Sequence, residues 1–264
     1  MHEAPGTMHY KAIAFDFGNT LCPWDEEQYW EVTRTALSHM CARIPGKDLD
    51  AVLDTFSRYR NEDSSINLPQ SLENDLPGIY QKTATEMCGK PLSSADLADL
   101  VDAHVKAFVG VCNAPKGLKE FLARLSSKYR LALLSNYPLP DAIRLSLVKF
   151  DVEKLFKPIL VSGDLGIIKP HRMIFEKLLA DLSLPAEEVL FVGDDWVADI
   201  IGASASGMSC IQIKNHHTSN KLEGVFGTYI RQAVYRPEFS AWREAKPLAV
   251  LNSVLDLEGW LEKA

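Results

Sequence analysis

Residues Ala12–Leu21 read AIAFDFGNTL. The opening apolar run has the length and composition of a strand buried on both faces. It ends on one carboxylate, Asp16, followed by a glycine-containing turn and Thr20. Ligands of open parallel sheets sit beyond the carboxyl ends of the strands, so the acid stands where chemistry is expected. The next place suited to an acid, two residues on, is Gly18.

Further along, RLALLS ending at Ser135, KPILVS ending at Ser162 and VLFVGD ending at Asp194 have the same form, and SCIQI around Ile211 makes a fifth strand. Helical patterns lie between them. GLKEFLARLSSKY repeats Leu118, Phe121, Leu122 and Leu125 on one face, and HRMIFEKLLADLSL repeats Ile174, Phe175, Leu178 and Leu179. Strands alternating with helices of this length predict an α/β fold with a parallel sheet.

The alternation is broken once, from Leu21 to Asn113. That region holds only helical stretches: EEQYWEVTRTALSHMCARI, DLDAVLDTFSRYR, IYQKTATEMCG and SSADLADLVDAHVKAF, the last capped by Ser93 or Ser94. The polar loop NEDSSINLPQS divides the set, and Pro115 and Gly117 mark the return to the sheet. This reads as a separate helical module inserted after the first strand. Trp24, Tyr29 and Trp30 are read as its core before any pocket lining, and Arg58 and Arg60 as a solvated helix end before a reach to a second anionic group. The tail LAVLNSVLDLEGWLEKA predicts a short strand and a closing helix. The segment from His216 to Pro247 has no assignable function, and His216 and His217 are read as solvated, not as metal ligands.

The chain has 264 residues, 47% hydrophobic and 24% charged, with net charge −7 and a pI near 5.5. Those values describe an ordinary globular protein and argue against a nucleic-acid surface, which needs concentrated positive charge. Five cysteines, none at CxxC spacing, fit reduced thiols better than a disulfide frame or zinc site. The opening MHEAPGTMHYK lacks an apolar signal segment, its first residues reading as a loose leader. No apolar run approaches the roughly 18 residues that span a bilayer. A cytoplasmic protein without membrane or nucleic-acid partners is expected, and oligomeric state is not legible.

Beyond the strand ends the sequence puts Asp16, Ser135 with Asn136, Lys169, and Asp194 with Asp195 and Asp199. A nucleophile, a hydroxyl, an ammonium and an acid cluster make a phosphoryl-handling site with a divalent metal. A carboxylate can attack phosphorus and split hydrolysis into two easier steps. The transferring group then needs cations and oriented donors around its oxygens. Magnesium suits the acids because it takes hard oxygen ligands. Asp16, Asp194 and the backbone carbonyl of Gly18 supply these in this reading, with phosphate held by Ser135 and the amides near Asn136.

The ordered series DFGNTL, LLSN, KP and VGDDWVAD resembles the four motifs of the haloacid dehalogenase-like hydrolases, over residues 8–22 and 114–214. The resemblance implies a Rossmann-like core at 8–22 and 114–264 with an inserted α-helical C1 cap at 23–113. It also implies Asp16 as nucleophile and metal ligand, Ser135 as phosphate ligand, Lys169 as charge balance and Asp194 as Mg2+ ligand. Asp199 orients the metal's waters or Lys169, with Asp195 beside it. Most phosphatases of this family carry, at the place of Gly18, an Asp that protonates the leaving group. Its loss here points to a small phosphorylated metabolite with a good leaving group, or to a proton from Asp25, His171 or a cap residue. The alternatives are a metal-independent 2-haloacid dehalogenase and a non-catalytic binding module. Family dehalogenases lack the acid that Asp194 supplies, and a dead site has no physical need for mutually repelling acids.

Overall fold

The computed structural model describes residues 9–42, 48–214 and 245–263. Its strands are β1 (Ala12–Phe15), β2 (Arg130–Ser135), β3 (Phe156–Val161), β4 (Val189–Gly193), β5 (Ser209–Ile213) and β6 (Val250–Leu251). They form one parallel sheet in the order β3-β2-β1-β4-β5-β6. The unbroken apolar runs are explained by what covers each face. Ile13, Phe15, Leu131, Leu133, Leu190 and Val192 enter one apolar cluster. Their alternating neighbours Ala12, Ala14, Ala132, Leu134, Val189 and Phe191 enter another. Both faces are dry, so the strands show no polar alternation.

The first face is covered by α5 (Leu118–Ser126), α6 (Pro140–Lys149) and α10 (Leu257–Leu261). On the second lie α8 (Arg172–Leu182) and α9 (Gly202–Ala205). The short α7 (Ser162–Leu165) follows β3 directly. No described helix is long and apolar enough to cross a membrane.

Between β1 and β2 come α1 (Glu26–Cys41), α2 (Leu49–Asn67), α3 (Leu76–Cys88) and α4 (Ser94–Val111). Their starts are set by side chains that satisfy the orphan N–H groups of a first turn. Asp25 caps α1 in a reciprocal box with Gln28, Asp75 caps α3, and Ser93, not Ser94, caps α4. The apolar faces of these helices do not form a core of their own. Val32, Leu37, Phe56, Tyr80 and Phe108 belong to the same continuous cluster as Ile13 and Phe15.

A second seam ties the insertion to the sheet. Leu72 pairs antiparallel with Ile167, Glu73 N–H donates to the Gly166 carbonyl at 3.0 Å, and Ile168 N–H donates to that of Ser71 at 2.9 Å. This seam ends one residue before Lys169. His216 and His217, the leader Met1–Thr7 and most of the 216–247 segment lie outside the described residues.

Candidate active site

The chain runs from β1 outward to β2 and β3, then returns across to β4. The sheet order therefore reverses between β1 and β4, which opens a crevice at their carboxyl ends. Phe15 is in register with Leu133 and Val192. Asp16 thus comes level with Leu134 and Gly193, one step behind Ser135 and Asp194. Three strand ends deliver the predicted acid, hydroxyl and acid to one rim.

Asp16 continues the ladder through its N–H, which donates to the Val192 carbonyl at 2.9 Å. The next residues fold into a tight turn in which Leu21 N–H and Cys22 N–H both donate to the Phe17 carbonyl, at 2.9 and 3.0 Å. Asn19 takes the left-handed conformation this turn needs (φ 54°), which Asn tolerates better than most residues. Its Oδ1 accepts from Trp24 N–H at 2.9 Å. Gly18 is a different case. Its φ is not positive, and a Cβ built there would meet nothing within 4 Å. Backbone geometry does not demand glycine at this position.

Lys169 is 2% exposed, and its ammonium donates to Asp16 Oδ1 at 2.7 Å and Asp199 Oδ1 at 2.6 Å. Burial works to lower the Lys169 pKa, but the two carboxylates hold it above the usual value. Asp199 is pushed up to about 7, chiefly by burial. The ammonium opposes that rise, and the charges of Asp16 and Asp195 add to it. Both Asp199 oxygens are engaged, since Oδ2 accepts from Asp195 N–H at 3.0 Å. The close approach of Asp199 is why residue 193 is glycine: a Cβ there would fall 2.3 Å from Asp199 Oδ2. Asp195 spends Oδ1 on the first turn of a π-helical segment, Trp196–Ile201, accepting from Val197 N–H at 2.8 Å and Ala198 N–H at 2.7 Å.

Asp16, Asp194 and Asp199 each offer a carboxylate oxygen, all within 4.8 Å of one another. An all-carboxylate set fits a hard divalent cation such as Mg2+. Asp199 is already tied on both oxygens, to Lys169 and to the Asp195 N–H, whereas Asp194 is half-buried. Ser135 is 3% exposed, and its hydroxyl has no partner among the described residues. The Asn136 side chain is occupied: its amide donates to the Lys169 carbonyl at 3.0 Å, and its Oδ1 accepts from Lys169 N–H at 2.8 Å. Only the Asn136 backbone remains for a ligand. Asp25 and His171 are each bound to a helix start, accepting from Gln28 N–H at 2.8 Å and Met173 N–H at 3.2 Å.

Several features near the site gave no clear signal in the sequence. Thr20 Oγ1 is buried without a hydrogen-bond partner among the described residues, four residues past Asp16. Glu73 accepts from the Ser162 hydroxyl, which itself accepts from Tyr137 N–H at 2.7 Å, linking the insertion to the loop after β2. Tyr80, His104 and Tyr137 form a hydrogen-bonded chain. The one available clue was His104, placed between Leu100 and Phe108 on the apolar face of its helix. Arg60 departs from the solvated-end expectation: it is half-buried, its guanidinium 4.5 Å over the Tyr29 ring. Arg58 is exposed and pairs with Glu86 and Glu62. A groove of about 720 Å3 between α1 and α2, lined by Trp30, Arg34, Asp50 and Asp54 among others, has none of Asp16, Asp194 and Asp199 in its lining.

The family model described as haloacid dehalogenase-like hydrolase matches residues 10–207. The chain belongs to the haloacid dehalogenase-like hydrolases. A second, HAD-hydrolase-like model matches residues 167–256. Glyceraldehyde 3-phosphate phosphatase of Pyrococcus furiosus is 25% identical over 77% of this chain and 80% of that protein. The Pyrococcus abyssi enzyme of the same name is 30% identical over 44% of this chain and 49% of its own length. Drimenol cyclase of Aspergillus calidoustus is 33% identical over 83% of this chain, which spans only 37% of the cyclase. Among solved structures, a 2-haloacid dehalogenase from Pseudomonas syringae pv. Tomato DC3000 superposes with a TM-score of 0.65 at 17% identity, covering 96% of this chain and 99% of that one. At that identity the likeness speaks for the fold alone.

Proposed function

We propose that this HAD-like hydrolase is a magnesium-dependent phosphohydrolase acting on a small phosphorylated metabolite through an aspartyl-phosphate on Asp16. The observation that carries the reading is the buried Lys169 ammonium between Asp16 and Asp199, with a further acid, Asp194, and a Ser135 hydroxyl that has no partner among the described residues at the same rim. Lys169 donates to Asp16 Oδ1 and fixes it, which leaves Oδ2 to attack phosphorus. As the Asp16–phosphorus bond forms, the bond to the ester oxygen breaks and its electron pair leaves with that oxygen. Water then attacks the phosphorus, releasing phosphate and the Asp16 carboxylate. Ser135 Oγ–H and the Asn136 backbone N–H donate to the phosphoryl oxygens throughout. Asp16, Asp194 and the Gly18 carbonyl would hold Mg2+, which when bound offsets the charge of the transferring group. Asp199 acts by holding Lys169, and Asp195 by capping the turn that presents Asp199.

Residues 23–113 serve as a C1 cap over the core of 8–22 and 114–264. Gly18 provides no acid for the leaving oxygen, and Asp25 and His171 are committed to helix starts. That supports a substrate whose leaving group needs little protonation. The test is hydrolysis of p-nitrophenyl phosphate with Mg2+ and with chelator, with Asp16→Asn as the blank. Turnover that needs Mg2+ and vanishes in Asp16→Asn is expected. Absence of turnover together with chloride release from 2-chloropropionate would replace this reading with the dehalogenase one.

A further inference from the structure

The ladder between β2 and β3 closes on the pair Ser135 and Val161. Beyond it β3 gives way to α7, and a side chain continues the pairing: Tyr137 N–H donates to Ser162 Oγ at 2.7 Å. Gly163 N–H donates to the Tyr137 carbonyl at 3.1 Å, so both backbone groups of Tyr137 are held from one place. Ser162 is fully buried, and a hydroxyl has a single hydrogen to give while it accepts. Two acceptors are in reach of that hydrogen, the Tyr137 carbonyl at 3.3 Å and, closer, Glu73 Oε2. A bond to a carboxylate is the stronger, so the hydrogen turns to Glu73 and a lone pair of Oγ is left for Tyr137 N–H.

Glu73 comes from the connection between α2 and α3, and it is half-buried. Burial raises its pKa, against the bonds from Ser162 and from Asn74 N–H, which donates to Oε1 at 2.9 Å. Drawing a carboxylate out of water costs free energy, and the backbone seam from Ser71 to Glu73 ties the insertion to the core without it. What the side chain adds is a hold on the loop after β2. That loop carries Ser135 Oγ and the Asn136 N–H, while its Asn136 side chain grips the Lys169 backbone. Tyr137 is the next residue, and its phenol is itself held by His104 Nε2 at 2.8 Å. Phosphoryl donors displaced by as little as about 1 Å lose much of their effect.

We propose that Glu73 is a positioning residue: through Ser162 and the Tyr137 backbone it fixes the loop that carries the Ser135 hydroxyl and the Asn136 N–H, the two donors to the phosphoryl group. The inference rests on the phosphohydrolase reading and extends that site to a residue of the insertion.

The experiment compares Glu73→Met, which removes the acceptor, with Glu73→Gln, which keeps one. Steady-state hydrolysis of p-nitrophenyl phosphate with Mg2+ gives KM and kcat, and hydrogen exchange at the Tyr137 amide reads the loop without turnover. Glu73→Met should raise KM by about tenfold and change kcat by less than about twofold, because the donors hold ground and transition states alike. Glu73→Gln should stay within about threefold of the wild-type KM. In Ser162→Ala, adding Glu73→Met should change KM by less than about twofold, since the bond is already gone. Tyr137 exchange should be faster in Glu73→Met than in Glu73→Gln. An unchanged KM in Glu73→Met, an equal loss in Glu73→Gln, or full additivity with Ser162→Ala overturns the positioning role. Absence of turnover in the wild type overturns the phosphohydrolase reading instead. The hold on the loop then stands if Tyr137 exchanges faster in Glu73→Met than in Glu73→Gln, and falls if the two rates match.

Discussion

Replacing Lys169 with Met keeps the length of the side chain and its packing against the Phe191 ring, 5.6 Å away, while removing the charge. The carboxylate oxygens of Asp16, Asp194 and Asp199 lie within 4.8 Å of one another. At an effective dielectric of about 20, each such pair repels by roughly 3.5 kcal/mol. Stripping one partner from a buried ion pair costs about 3–5 kcal/mol for the same reason. Lys169→Met should therefore lose about 3–5 kcal/mol at pH 7.5 in chelator, read from urea unfolding midpoints. Without the ammonium, the Asp199 pKa, already pushed up to about 7, rises further. Its share of the deficit is present in full above the raised pKa and is gone once pH falls well below about 7, where Asp199 is protonated with or without Lys169. The deficit should therefore be smaller at pH 5 than at pH 7.5. A deficit below about 1 kcal/mol at pH 7.5, or one that is the same at both pH values, would refute the electrostatic account and leave only packing.

Gly18→Asp should fit without distortion, because a Cβ there meets nothing and φ is not positive. It should raise kcat on alkyl phosphates by about 10²-fold, the low end for general acid catalysis, and leave p-nitrophenyl phosphate nearly unchanged. Equal effects on both ester classes would show that the new carboxyl does not reach the leaving oxygen. His104 predicts an acid-side loss of stability. Unfolded, it takes a proton as pH falls through about 6.5; folded, it resists until about 4. The contribution is lost on acidification across that window and amounts to about 3 kcal/mol when complete. Urea midpoints measured from pH 7.5 to 4 should fall more steeply in the wild type than in His104→Gln, and parallel curves would contradict this.

The acids and the sheet were legible because each strand ends on the residue it presents. AIAF, LALLS and VLFVG are continuous apolar runs, and the parallel register then brings Asp16, Ser135 and Asp194 together without further information. Asn136 was harder to read. As a turn residue beside Ser135 it looked like a phosphate donor, but its side chain clamps the Lys169 backbone. Such a clamp joins two loops that only the folded chain brings together. Glu73 and Arg60 are hidden for the same reason. Each sits in a polar stretch like any solvated surface, and only the folded chain sets Glu73 on the Ser162 hydroxyl and Arg60 on the Tyr29 ring. His104 left a trace in its helical phase; the phenols on either side of it come from different elements and left none.

β1, which carries Asp16, is flanked by β2 on one side and β4 on the other. During synthesis it emerges before the other described strands of the sheet, and both of its partners are made only after the whole helical insertion. Its apolar residues wait unpaired through that interval, with two open edges and two dry faces uncovered. Pairing over such distances closes large loops before any contact rewards them, which slows folding and prolongs exposure to aggregation. The strand at the centre of the finished sheet is thus the nascent chain's most vulnerable stretch. Helper proteins that shield apolar segments should raise the yield of this protein more by acting early in elongation than after release.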